Sequence, residues 1–230
     1  MKSAFKSFSL ILLLMFVPMV ASAQTHYKGH LWIGGHAGAS LARQSLSPSV
    51  PQKWLLGTTG AVAVRYSEEK TFGLVAELGW ATRGWKEDFQ ESPLAYSRSL
   101  TFINLPVMTQ IIFGGQRAKC FINLGPEFSY MIGSNISANF DYTDLSSVTQ
   151  WPERDRMTEQ LNMDIANRFD YGITAGIGGE FYVSPRHSIT LEARYYFGLG
   201  NIFKSSKADT FSASRSSSIE ITLGYFFRYN

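Results

Sequence analysis

The chain has 230 residues, a single cysteine, 45% hydrophobic residues and a formal net charge of +3. Lys2 and Lys6 carry two of those charges, so the rest of the chain is close to neutral and gives no electrostatic reason to expect nucleic acid as a partner. The lone Cys120 excludes an intramolecular disulfide and any cysteine-rich metal centre, and its place beside Phe121 and Ile122 predicts an inert packed thiol.

The first element is an export signal over residues 1–23. Lys2 and Lys6 form its positive region, Leu10–Val17 its apolar run, and Ala21-Ser22-Ala23 its cleavage site. The apolar run is too short for a transmembrane helix. Residues 24–230 have room for one domain.

Eight segments with period-2 patterning follow: Leu31–Ala42, Gly57–Tyr66, Thr71–Arg83, Leu100–Phe113, Ala118–Ile132, Phe169–Val183, Ser188–Leu199 and Ser218–Arg228. Each reaches the roughly nine to eleven residues that a tilted strand needs to cross a bilayer. The connections alternate. Arg43–Leu56, Gly84–Ser99, Gly133–Arg168 and Gly200–Ser217 are long, whereas Ser67–Lys70, Gly114–Arg117 and Ser184–His187 are short. That rhythm predicts an all-β fold, an eight-stranded antiparallel up-and-down transmembrane β-barrel. Its short turns and both chain ends face the periplasm, and its long loops face outside.

Parity separates two faces. One carries Leu74, Leu78, Ile103, Leu105, Leu124, Phe128, Leu191, Ile221 and Leu223 among other bulky apolar residues. The other interleaves glycines with Arg65, Glu77, Arg83, Lys119, Glu127, Glu180, Glu192, Arg194, Glu220 and Arg228. An eight-stranded barrel has an interior barely wide enough for side chains, so the bulky set belongs against lipid. The charged set then fills the lumen as a structural network of ion pairs and hydrogen bonds, since a bare charge there is costly. A wide aqueous pore does not fit that interior. Trp80, Trp85, Tyr195, Phe197 and the closing aromatics lie near strand ends, where they suit the headgroup layers. The aromatic last strand, ending at Phe227 and Tyr229, is a plausible signal for the barrel-insertion machinery.

Catalytic, cofactor and metal sites are not expected. His26, His30 and His187 lie at or beyond strand ends, and His36 falls inside a strand with Ser40 nearby. No hydrolase elbow or phosphate-binding loop accompanies them. Gly176–Gly178 lies on a strand without a following helix, so a dinucleotide site fails its context test. Asp141 and Asp144, with neighbouring hydroxyls, offer calcium-type oxygens in a loop but no ligand spacing. In Gly133–Arg168, Pro152-Glu153-Arg154 opens a predicted short helix with Met157, Leu161 and Ile165 on one stripe. The stripe either caps the barrel mouth or docks an envelope protein. The serine-rich Ser205–Ser217 is expected to be a flexible exposed loop.

Several stretches together resemble one family. They include Ala76-Glu77-Leu78-Gly79-Trp80, Phe102-Ile103-Asn104-Leu105-Pro106-Val107-Met108, Phe121-Ile122-Asn123-Leu124-Gly125-Pro126 and Phe169-Asp170-Tyr171-Gly172-Ile173. The most specific is Leu191-Glu192-Ala193-Arg194-Tyr195-Tyr196-Phe197-Gly198-Leu199 followed by Asn201-Ile202. The order and spacing are similar to PorT-like outer-membrane β-barrel proteins of Gram-negative bacteria. Asn104 and Gln110 depart from it, standing where an acid and a lysine are usual. The resemblance implies an outer-membrane barrel with a structural or binding role through its outer loops, and an accessory place in a secretion or gliding apparatus. A lipid-modifying or proteolytic enzyme built on a small barrel is the alternative reading.

Overall fold

Eight of the nine strands among the described residues close into a ring because each antiparallel ladder satisfies the backbone groups of its neighbour, and closure leaves no edge exposed to lipid. The computed structural model of the chain describes residues 29–67, 71–90, 92–148, 151, 157–205 and 209–230. The export signal, His26 and Pro152-Glu153-Arg154 lie outside those residues. The strands are β1 His30–Ser47, β2 Gln52–Lys53, β3 Leu55–Ser67, β4 Phe72–Glu87, β5 Tyr96–Gly114, β6 Ala118–Ala138, β7 Phe169–Ser184, β8 His187–Gly198 and β9 Ala213–Arg228. The barrel runs β1-β3-β4-β5-β6-β7-β8-β9 and closes through β9 against β1, with Trp32 opposite Arg228 and Ser47 opposite Ala213. The two-residue β2 adds a short ladder to the outer end of β4.

The parity division holds in three dimensions. Leu74, Leu78, Leu124 and Leu223 are 57%, 55%, 55% and 62% exposed on the outside. Arg65, Glu77, Arg83, Glu127, Glu180, Glu192, Arg194 and Glu220 are all buried inside. Replacing Leu124 with arginine should cost about 2–4 kcal/mol, as for a cation at the midplane of a lipid-facing strand. Denaturant unfolding from liposomes measures it, and a neutral result would place Leu124 away from lipid.

Cys120 is exposed, on the outer face with Ile122 and Leu124, rather than packed as its neighbours suggested. Its strand neighbours are apolar on both parities, so composition did not indicate its side.

Several strands run well past their predicted ends toward the long loops, whereas on the short-turn side the ends shift by one residue at most. β1 extends to Ser47, β4 to Glu87, β5 begins at Tyr96, β6 reaches Ala138 and β9 begins at Ala213. Above the membrane no lipid demands an apolar outer face, so alternation fades while the hydrogen-bond ladder continues. The serine run 213–217, expected as a flexible loop, is therefore strand. Ser214, Ser216 and Ser218 are fully buried, and Ser217 Oγ donates to Arg43 O at 3.2 Å.

The outer loops and strand extensions share one apolar core. Trp85, Tyr96, Leu100, Phe102, Leu161 and Phe203 are buried together, and Phe140, Trp151, Met157 and Ile165 pack against them. Trp85 was expected in the membrane girdle, yet it is fully buried here, edge-on to Phe203 at 6.0 Å, with Nε1 donating to Glu87 Oε1. The predicted stripe Met157, Leu161 and Ile165 does converge on this core, but among the described residues of the stripe only Glu159–Asn162 is helical. Tyr96 Oη donates to Leu161 O at 2.7 Å and Arg98 Nη1 to Met163 O at 2.5 Å, which satisfies carbonyls that a one-turn helix leaves free. Of the two roles open to this stripe, it fills the capping one.

Candidate functional site

The lumen is built in three tiers, each set by the alternation that turns every second side chain inward. In the outer tier, Arg83 on β4 donates to Glu127 on β6 and, at 3.1 Å, to Ser129 Oγ. Its guanidinium lies 3.6 Å from the centre of the Tyr196 ring. Tyr196 Oη donates to Asp170 Oδ2 at 3.0 Å, and Glu220 accepts from the hydroxyls of Thr59 and Ser218. Asn104 Nδ2 donates to Glu127 Oε1 at 3.3 Å. An amide there adds a donor to the arginine-bound carboxylate, where an acid would have added a like charge.

The middle tier centres on Arg194 of β8. It grips Glu77 with Nη1 at 2.7 Å and Nη2 at 3.0 Å, and Glu192 with Nη2 at 2.9 Å and Nε at 3.2 Å. His36 Nε2 lies 3.1 Å from Glu77 Oε2. Gln110 donates to Asn123, which donates to Glu192 Oε1 at 2.9 Å. Ser40 Oγ donates instead to the Thr82 carbonyl, so the structure does not bring it together with His36. Four residues along a strand place them roughly 13 Å apart.

The inner tier is Arg65 of β3 paired through both Nη atoms to Glu180 of β7, at 3.0 and 2.6 Å. Ser188 and Tyr182 also donate to Glu180. The Arg65 guanidinium lies 4.8 Å from the Trp32 ring centre and 4.9 Å from that of Phe226. Such cation–π contacts replace part of the hydration lost on burial.

Two cations assigned to this network sit elsewhere. Lys119 and Arg228 lie at the end bearing the short turns, half-buried over the rings of Tyr182 and Trp32 at 5.0 and 5.8 Å. Among the described residues neither pairs with a carboxylate. They occupy the last inward positions before the turns, where the interior opens to water. Among the described residues the three tiers therefore hold Arg65, Arg83, Arg194 and His36 against Glu77, Glu127, Asp170, Glu180, Glu192 and Glu220, rather than equal numbers of each sign.

Aromatic rings also occupy the axis, which the reading of a glycine-and-ion interior missed. Trp32, Phe102, Phe121, Tyr196 and Phe226 are buried. Their parity gave the signal, since Tyr196 follows Arg194 and Phe226 follows Gly224 on the inward side. The glycines supply their room. A Cβ on Gly178 would stand 2.3 Å from the Phe121 ring, and one on Gly34 would stand 2.6 Å from the Phe226 ring.

Among the described residues no group of three or more histidines, cysteines or carboxylates is placed to hold a metal ion. Asp141 Oδ1 accepts from the amide and hydroxyl of Thr143, and Asp144 Oδ1 from the amide and hydroxyl of Ser146. The two bonds from Thr143 hold the exposed Asp141 carboxyl below its usual pKa, and all four shape the loop.

A closed antiparallel ring with an apolar outside, a filled polar axis and long loops at one end defines a small outer-membrane β-barrel. The chain belongs to the outer membrane protein beta-barrel domain family, whose model matches residues 22–204. It works in the cell outer membrane. No curated protein matches it. Among solved structures it is similar to the outer membrane protein OprG from Pseudomonas aeruginosa, at 9% identity over 90% of this chain and 99% of that one, with a TM-score of 0.55. Neisserial surface protein A gives 13% identity, 86% and 96% coverage and a TM-score of 0.44. Ail of Yersinia pestis gives 10%, 86% and 99%, with 0.41. The likeness to OprG shows the fold alone.

Proposed function

We propose that this barrel is a PorT-like structural and binding protein rather than an enzyme or a diffusion channel, and that it contacts an envelope-protein partner through the outer segment Gly133–Arg168. The single observation behind this reading is the closure of the barrel along its axis and over its outer end. Three tiers of paired side chains fill the axis, and the buried core around Trp85, Leu161 and Phe203 roofs the outer end. A filled cylinder has no route for diffusing solute. What it offers is a rigid platform, and loops held on rigid scaffolds are where binding residues concentrate.

The exposed rim of that segment is polar: Asp141, Thr143, Asp144, Ser146 and Ser147 face solvent, while its apolar residues turn down into the roof. Crosslinked pull-downs from whole envelopes test the reading. Thr143→Arg combined with Ser147→Arg should reduce partner recovery at least about tenfold while heat-modifiable gel mobility is kept, since hot spots on such surfaces carry most of the affinity. Recovery equal to the unaltered protein would refute docking at this rim. An accessory place in protein secretion further predicts that deleting the gene traps cargo in the periplasm. Normal secretion in the deletion strain would remove that part.

A further inference from the structure

The periplasmic end of the barrel holds a cavity of about 510 Å³, open between the short turns and ending on Arg65 and Trp32. Its walls include Lys119, Tyr182, Arg228 and Gln116, and none of the described lining residues is acidic. Arg65 is 2% exposed and spends both Nη atoms on Glu180, yet its Nε has no hydrogen-bond partner. Lys119 and Arg228 lean on the Tyr182 and Trp32 rings and are matched by no carboxylate among the described residues. Arg65, Arg83 and Arg194 farther along the axis are each paired with a glutamate, whereas Lys119 and Arg228 at this mouth present positive charge to water over aromatic surface.

We infer that this mouth binds the C-terminal carboxylate end of a periplasmic peptide. The carboxylate sits between Lys119 and Arg228, and an apolar last side chain lies against Trp32 and Tyr182. A carboxylate suits two cations that meet no carboxylate among the described residues, because charge-assisted hydrogen bonds are the strong ones. The rest of the lining favours a peptide over an acyl chain. Ser67 and Gln116 border the same space, and peptide amides can bond to such groups whereas methylenes would leave them dry. This site is independent of the outer rim, lying at the opposite end of a filled axis.

Calorimetric titration of the full barrel in zwitterionic nanodiscs tests it, using N-acetyl-Ala-Ala-Phe as probe beside its C-terminal amide and octanoate. The free acid should bind at least about tenfold more tightly than the amide, with affinity falling as salt rises. Lys119→Gln combined with Arg228→Gln should remove at least about tenfold of that affinity. Gel mobility should stay that of the folded barrel, because neither side chain holds an ion pair. The inference is overturned if acid and amide bind alike, if the double variant binds like the unaltered chain, or if no binding is seen at millimolar probe. Tighter binding of octanoate than of the peptide would also overturn it, assigning the mouth to fatty acids.

Discussion

Arg194→Met should destabilise the barrel by about 3–5 kcal/mol, the cost of breaking a buried ion pair from one side. Arg194 is 4% exposed and supplies four hydrogen bonds to two glutamates. Without it, Glu77 and Glu192 remain buried with the same space between them and no guanidinium to offset their repulsion. Water cannot substitute freely, because the neighbouring space is small. The cavity lined by His36, Glu77, Gln110, Asn123 and Glu192 is about 10 Å³, room for about one water. Denaturant unfolding in detergent, followed by tryptophan fluorescence and gel mobility, measures the loss. Adding Glu77→Gln and Glu192→Gln to Arg194→Met should restore most of the stability, since removing a buried ionic group entirely is far less costly than orphaning half of it. A single variant within about 1 kcal/mol of the parent would mean that the axis is hydrated rather than packed.

The second large effect belongs to the roof. Phe203→Ala should cost about 3–5 kcal/mol, as for other fully buried phenylalanines. Phe203 is 0% exposed, edge-on to Trp85 at 6.0 Å and stacked on Phe211 at 5.9 Å. The roof lies above the lipid-facing band, and the ladders beneath it close without it, so the loss should appear as local opening rather than global unfolding. Proteolytic cleavage within 139–168 should then quicken by about two to three orders of magnitude, tracking the population of the open form. The barrel's own unfolding midpoint should stay in place. A midpoint that falls together with protease resistance would show roof and barrel to be one cooperative unit, contrary to this expectation.

How much of this was legible from the chain varies by element. Strand number, order and facing direction follow from alternation, because a pleated strand between lipid and a crowded axis must sort its side chains at every second position. Leu74 and Glu77 on β4 sorted themselves in this way. The strand ends were legible throughout on the short-turn side, but on the long-loop side only where β7 begins and β8 ends, apart from the two-residue shift of β3. Residues such as Ser45, Ser99 and Ser216 carry no parity signal, because the environment that creates one stops at the membrane surface. The roof was half visible in Met157, Leu161 and Ile165, whose spacing showed a shared destination. Among the described residues their helix is a single turn, Glu159–Asn162, and Tyr96 and Arg98 of the barrel bond to the Leu161 and Met163 carbonyls.

By itself the sequence determined a closed eight-stranded cylinder with a greasy outside and a charged inside, because those properties are local and repeat along each strand. Tertiary structure alone decided which charges meet. Arg65 finds Glu180 115 positions away and Arg194 finds Glu77 117 positions away. Lys119 and Arg228, of the same parity and chemistry, end at an open mouth with aromatic rings for company. Height along the axis makes the difference. It is fixed by the register of all eight ladders together, which no single strand encodes.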